Sequence, residues 1–191
     1  MNYPQLRSSI SSCRLCHQIF GYEPRPILWG EQKVKIFQLG QAPSRNVHIT
    51  GKPFNDISGK RLRQWYDIDE DTFYNPANIY ITGVAHCFPG KNPKGGDNKP
   101  PKVCADQWVR QEIKLVEAEI YILIGSYASK LLYPKQKLTD LVFEDLEYNQ
   151  KPAFVLPHPS PLNMRWLAKY PAFLEERMPL IRHKIHQLLA Q

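Results

Sequence analysis

Short apolar runs alternate with amphipathic stretches along this chain, and the alternation predicts its elements. Val34-Lys35-Ile36-Phe37-Gln38-Leu39 reads as a strand running into the turn-forming Gly40-Gln41-Ala42-Pro43-Ser44. Asn78 to Thr82 reads as a second strand and Ala153 to Pro157 as a fourth. The third, Glu119 to Gly125, is an unbroken apolar run closed by glycine. Such runs mark strands covered on both faces, as in parallel sheets. Residues 5–12, 58–66 (with Ser58 as N-cap), 104–117 and 126–132 read as helical, and 173–189 as an amphipathic helix kinked at Pro179. Segment 89–102 carries four prolines (Pro89, Pro93, Pro100, Pro101) and three glycines (Gly90, Gly95, Gly96), so it must be irregular loop. Strands alternating with helices predict an α/β fold, a parallel sheet with helices on both sides, in one domain over residues 1–191. Ligands in such folds sit at the C-terminal ends of strands, where the loops 40–56, 83–104 and 157–165 fall.

Composition narrows the setting. The chain has 191 residues, 42% of them apolar, enough for a proper core. No apolar run approaches a membrane span, and the polar start Met1 to Arg7 lacks a signal-like apolar core, so a cytoplasmic protein without membrane association is expected. The formal charge of +7 suits a polyanionic partner, although a basic solvated surface is the plainer reading. Local clusters favour the partner: Lys60, Arg61 and Arg63 fall together, and Lys91, Lys94, Lys99 and Lys102 crowd the Gly/Pro-rich stretch.

The cysteines form one close pair and two singles: two residues separate Cys13 from Cys16, seventy separate Cys16 from Cys87, and sixteen separate Cys87 from Cys104. Four thiolates fit one iron–sulfur cubane or one structural zinc, tying the N-terminal segment to a mid-chain loop. Two disulfides are disfavoured in a reducing compartment and in a chain too long to need staples. Four unrelated buried thiols are the remaining alternative, made less attractive by the Cys-x-x-Cys pair.

Three loops carry candidate chemistry. Gly40 to Ser44 either places backbone amides around a ligand or simply makes a tight connection. In Thr50-Gly51-Lys52-Pro53-Phe54-Asn55-Asp56, Phe54 can offer its face to a planar ring and Asp56 can orient a water. Equally, Phe54 can be a core anchor and Asp56 a helix cap. In His158-Pro159-Ser160-Pro161, His158 can donate to a carbonyl or developing anion and Ser160 can bind phosphate, or the histidine can be satisfied by its own loop. Brought to one sheet edge, a basic rim, an aromatic face, a carboxylate and a histidine suit an enzyme acting on a base extruded from DNA.

Taken in order, these motifs resemble the uracil-DNA glycosylase superfamily, specifically its iron–sulfur branch, families 4 and 5. Gly40-Gln41-Ala42-Pro43-Ser44 is similar to the first family motif, Thr50-Gly51-Lys52-Pro53-Phe54 to its Thr-Gly-Arg-Pro-Phe segment, and His158-Pro159-Ser160 to the last motif. Cys13 and Cys16 match the first cluster pair, and Cys87 and Cys104 the second. The resemblance implies a three-layer α/β/α fold with a central four-stranded parallel sheet and a [4Fe-4S] cluster (zinc being the alternative). It implies a monomer that binds DNA containing damaged bases and hydrolyses the N-glycosidic bond of uracil or another deaminated base, leaving an abasic site. By the same resemblance Phe54 stacks on the flipped base and His158 stabilises the departing base. Ser160 and the loop of Gly40, Gln41, Ala42 and Pro43 grip phosphates and the water, and Asn98 belongs to an Asn-Lys-Pro substrate motif.

The chain departs from both families. Family 4 carries glutamate where Gln41 stands and asparagine where Gly83 stands. Family 5 has a small residue at the latter place and an aspartate shortly after the Phe, which Asp56 matches one residue early. Asp56, His158 and Gln41 are therefore the expected catalytic set, Asp56 stabilising an oxocarbenium-like sugar or orienting water. The competing expectations are a non-catalytic DNA-binding or damage-sensing relative and a zinc-stabilised nucleic-acid-binding module.

Overall fold

The computed structural model describes residues 1–20 and 23–191. Its elements are, in order, α1 (Tyr3–Ser11), α2 (Leu15–Phe20), β1 (Lys33–Gly40), α3 (Arg45–Thr50), α4 (Ile57–Tyr66), α5 (Glu70–Tyr74) and β2 (Ile79–Gly83). Then come α6 (Lys102–Cys104), a π-helical turn (Ala105–Val109), α7 (Arg110–Leu115), β3 (Glu117–Ile124), α8 (Gly125–Leu132), α9 (Leu138–Phe143), β4 (Leu146–Tyr148) and β5 (Lys151–Leu156). A 3-10 turn (Pro161–Asn163), α10 (Met164–Lys169), a second π turn (Phe173–Arg177) and α11 (Met178–Leu189) complete the chain.

The sheet has five strands, in the order β2-β1-β3-β5-β4, rather than four. The four expected strands pair in parallel, and the addition, β4, is antiparallel to β5 at the edge. Three residues long, β4 carries no readable periodicity, and it forms because the turn at Asn149 and Gln150, both at positive φ, folds the chain back on β5.

Successive strand residues face opposite ways, which separates the two helical layers. Phe37 stacks on Tyr80 at 5.3 Å, and Tyr80 meets Tyr3 of α1 and donates to Glu112 of α7 at 2.6 Å. The next residue of β1, Gln38, points the other way and accepts from Tyr66 of α4 at 2.8 Å. On that side α11 closes over α4, with the Arg182 side chain donating to the Trp65 carbonyl. Every residue of β2 and the last five of β3 are buried, as their apolar runs require. The helix expected over 104–117 is broken by the π turn directly after Cys104. The tail expected to be helical over 173–189 runs from the π turn (Phe173–Arg177) straight into α11, so the helix departs from regular α geometry directly before Pro179, the residue with no N–H to give.

Candidate active site

The parallel strands end together. Gly40 is opposite Gly83 in the β1–β2 register, and the ladder runs past both, with the Val84 amide donating to the Gly40 carbonyl and the Ala85 amide to the Gln41 carbonyl. The loops leaving these ends enclose a cavity of about 400 Å³. Gly40, Gln41, Ala42, Pro43, Phe54, Asp56, His158 and Ser160 all line it, so the structure brings together every predicted non-metal site residue except Asn98. Asn98 is spent on its own loop, its side-chain amide donating to the carbonyls of Pro89 and Lys91.

Phe54 has φ 52°, and its carbonyl lies over residue 59. A Cβ there would be 1.6 Å from that oxygen, so only Gly59 permits the turn that presents Phe54. The ring is set edge-on to Phe73 and fits against Gly40, where a Cβ would approach it to 3.4 Å. Asp56 caps a helix, as one sequence reading has it, and the same carboxylate lines the cavity. Its Oδ1 accepts from the Gly59 amide at 3.0 Å and caps α4, while Oδ2 accepts from the Ser44 hydroxyl at 3.3 Å on the cavity wall.

His158 Nδ1 accepts from the Ser160 amide at 3.2 Å, which leaves the imidazole proton on Nε2. Burial lowers its pKa, the nearby Asp56 pulling weakly the other way, so the ring is a neutral donor. The loop is braced twice, by Asn163 on the His158 carbonyl and by Arg61 on the Pro159 carbonyl. Arg63 likewise reaches the carbonyl of Phe54 and the hydroxyl of Tyr74, which donates to Pro53. Two of the three cations in the Lys60–Arg63 cluster therefore hold site loops in place.

Two features escaped the sequence. Leu162, two residues beyond Ser160, lines the cavity although 91% exposed. The legible signal was a leucine among prolines in a loop, with no apolar periodicity to bury it. The other feature is a buried polar network. His86 donates or accepts at Glu112 Oε2 (2.8 Å), Thr82 Oγ1 (3.3 Å) and Cys104 Sγ (3.3 Å). Burial opposes its charge, but the Glu112 carboxylate and Cys104 raise its pKa, and His86 lowers that of Glu112 against the latter's own burial. His86 lines both the large cavity and a small second one.

That second cavity is lined by Cys13, Cys16, Cys87 and Cys104. Burial first, then the three other sulfurs, push the Cys87 thiol up to about 12. Among the described residues no three His, Cys, Asp or Glu side chains form a ready-drawn metal site. The donor chemistry nonetheless fits a thiolate-bound group: Trp108 Nε1 donates to Cys13 Sγ at 3.3 Å and the His86 amide to Cys104 Sγ at 3.4 Å. The π turn after Cys104 contains Trp108 and aims it there.

Residues 28–182 match the family model described as the uracil DNA glycosylase superfamily. Cys13 and Cys16 precede the matched segment. Among curated proteins, the chain is similar to the type-4 uracil-DNA glycosylase of Archaeoglobus fulgidus, 30% identical over 139 residues, covering 70% of this chain and 63% of that protein. It is also similar to that of Saccharolobus solfataricus (27%; 57% of this chain, 49% of that one) and that of Sulfurisphaera tokodaii (24%; 69% and 58%). The matches thus span between about half and just under two thirds of these relatives. No helix among the described residues is long and apolar enough to cross a membrane.

Proposed function

The chain belongs to the uracil DNA glycosylase superfamily, and we propose that it is a monofunctional DNA glycosylase that releases uracil or another deaminated base and leaves an abasic site. The observation that carries this reading is His158, its Nδ1 engaged by the Ser160 amide, in one cavity with Phe54 and Asp56.

The base enters the cavity from the extruded nucleotide and stacks on Phe54. Leu162, exposed on a loop stiffened by Pro159 and Pro161, fills the gap left in the duplex, as apolar wedges do. As the glycosidic bond lengthens, charge builds on the base and on the sugar with opposite signs. The His158 Nε2–H donates to the base carbonyl and stabilises the leaving anion. Asp56, fixed by the Gly59 amide and the Ser44 hydroxyl, stabilises the sugar cation and orients water toward C1′. Gln41 and Ser160 hold the water and the flanking phosphate. A group held by Cys13, Cys16, Cys87 and Cys104, proposed as a [4Fe-4S] cluster with zinc as the alternative, would be a structural cross-link between the N-terminal segment and the 87–104 loop.

The test is base release from oligonucleotides containing uracil, hypoxanthine or xanthine, with alkaline cleavage to reveal abasic sites. Release by the wild type, abolished or strongly reduced in both Asp56→Asn and His158→Ala, is expected. Tight binding to abasic DNA without release from any of these substrates would replace this reading with that of a damage-sensing relative.

A further inference from the structure

We propose that Lys91 and Asp97 form a donor–acceptor pair that reads the N–H/C=O edge of the flipped base, supplying what position 83 lacks. The inference deepens the glycosylase reading and rests on it. At position 83, where β2 ends on the cavity wall, the residue is glycine and offers no side chain to a base. None fits there as the backbone stands: a Cβ would come within 2.9 Å of the Ala85 carbonyl oxygen and 3.2 Å of Ala42 Cα. A side chain that reads the base must therefore come from another position of the lining.

Lys91, Gly96 and Asp97 also line this cavity. They belong to a small hairpin in the 84–101 connection. Lys91 and Asp97 form an isolated antiparallel bridge, and the amide of Asn98 donates to the carbonyl of Gly90 at 2.9 Å. The two Asn98 side-chain bonds clamp the hairpin's base. Its tip, Gly95 and Gly96, has φ of 102° and 74° and nothing near where side chains would start. Lys91 Nζ donates to Asp97 Oδ1 at 2.6 Å. An ammonium has three donors and a carboxylate about four acceptor positions, so one mutual bond leaves both able to engage a ligand.

Deamination supplies the matching edge. In cytosine and adenine a bare ring nitrogen accepts and the adjacent amino group donates. In uracil and hypoxanthine the same two places become a ring N–H that donates and a carbonyl that accepts. A carboxylate beside an ammonium complements the second pattern and opposes the first. Thymine and guanine present the deaminated pattern too, so the pair separates uracil from cytosine and hypoxanthine from adenine, and leaves rejection of thymine and guanine to cavity shape.

The test measures binding and release together. Oligonucleotides carrying 2′-fluoro-deoxyuridine or 2′-fluoro-deoxycytidine resist hydrolysis and report affinity, and ordinary uracil oligonucleotides report release. Wild type should prefer the fluorouridine strand, and Lys91→Ala and Asp97→Ala should each lower that preference roughly five- to hundredfold, the discrimination of one good donor–acceptor pair. The exchange of Lys91→Asp with Asp97→Lys keeps an ion pair across the hairpin but reverses donor and acceptor, and it should abolish or invert the preference. If wild type releases uracil and prefers fluorouridine while either alanine variant or the exchange keeps that preference, the pair only ties the loop and the proposal is overturned. Should wild type neither release a base nor distinguish the strands, the glycosylase reading fails, and this proposal with it.

Discussion

Asp56 does two jobs, and the choice of substitution separates them. Asparagine caps helices as well as aspartate does, so Asp56→Asn should keep the Gly59 amide satisfied and leave stability within about 0.5 kcal/mol. Loss of base release in that variant, with an unchanged urea midpoint, then reports the missing charge, whereas Asp56→Ala should also lose about 1 kcal/mol of cap stability. His158→Ala removes one aligned donor and should cut the single-turnover rate on uracil DNA about 10²- to 10³-fold. An undiminished rate would remove His158 from the mechanism. The same residue makes a prediction about pH. Its folded-state pKa lies below the ordinary imidazole value, so under acid conditions the unfolded chain binds a proton that the folded chain refuses. This contribution to stability is therefore constant at neutral and alkaline pH and declines as pH falls below about 6.5, the unfolded value. Urea unfolding at about pH 5 and about pH 8 should show a steeper acid loss for wild type than for His158→Gln. Equal slopes in the two proteins would mean that the ring protonates freely in place.

At the scale of elements, what was legible followed from length and from local pattern. The four parallel strands are long apolar runs whose burial is written in consecutive residues, and the prolines of 89–102 announce irregular chain without further help. Tertiary structure decided the rest. The strand β4 is only Leu146-Glu147-Tyr148, and the π turn after Cys104 looks like helix in any window of sequence. The His86–Glu112 pair joins residues 26 apart that share no local pattern, and only the packing of α7 on β2 makes it buried and satisfied. Phe54, Asp56 and His158 were readable because each sits in a Gly/Pro-framed loop directly after a strand or before a helix. Leu162 and the Lys91–Asp97 pair also lie among prolines and glycines, but only the path of their loops in the fold brings them to the cavity. Because Leu162 is almost wholly exposed, Leu162→Ala should leave the unfolding midpoint unchanged. Unstacking one base step costs a few kcal/mol, so the variant should lose roughly tenfold or more in kcat/KM on duplex uracil DNA and much less on single strands. Equal losses on both would argue against a wedge. His86→Ala belongs here too: stranding the fully buried Glu112 should cost about 3–5 kcal/mol, and replacing both partners by apolar residues should recover much of it.

The molecule as a whole is joined in two ways at its N-terminal end, and they respond differently to loss of the cysteine site. The helix α1 docks by itself: Leu6 and Ile10 are fully buried, and Arg7 donates to the Gly30 carbonyl at 2.7 Å. The group proposed at the cysteines would instead close a loop of seventy residues between Cys16 and Cys87 and hold the 87–104 connection, which carries the cavity hairpin, against the start of the chain. A cross-link of that span constrains the unfolded chain by about 4 kcal/mol on the loop-closure scale. Cys87→Ser should therefore lower stability by a comparable amount and deplete bound iron, or zinc if that is the resident metal. The loss should also be local. In hydrogen exchange, amides of α1 should keep their protection up to the global limit, while those near residues 12–18 and 87–104 should open first. Base release should fall in step with the opening of the 87–104 segment, because Lys91, Gly96 and Asp97 line the cavity from that segment alone. If exchange in 87–104 is unchanged while metal is lost, the thiols are not what holds the hairpin over the site, and the clamp of Asn98 on Pro89 and Lys91 suffices.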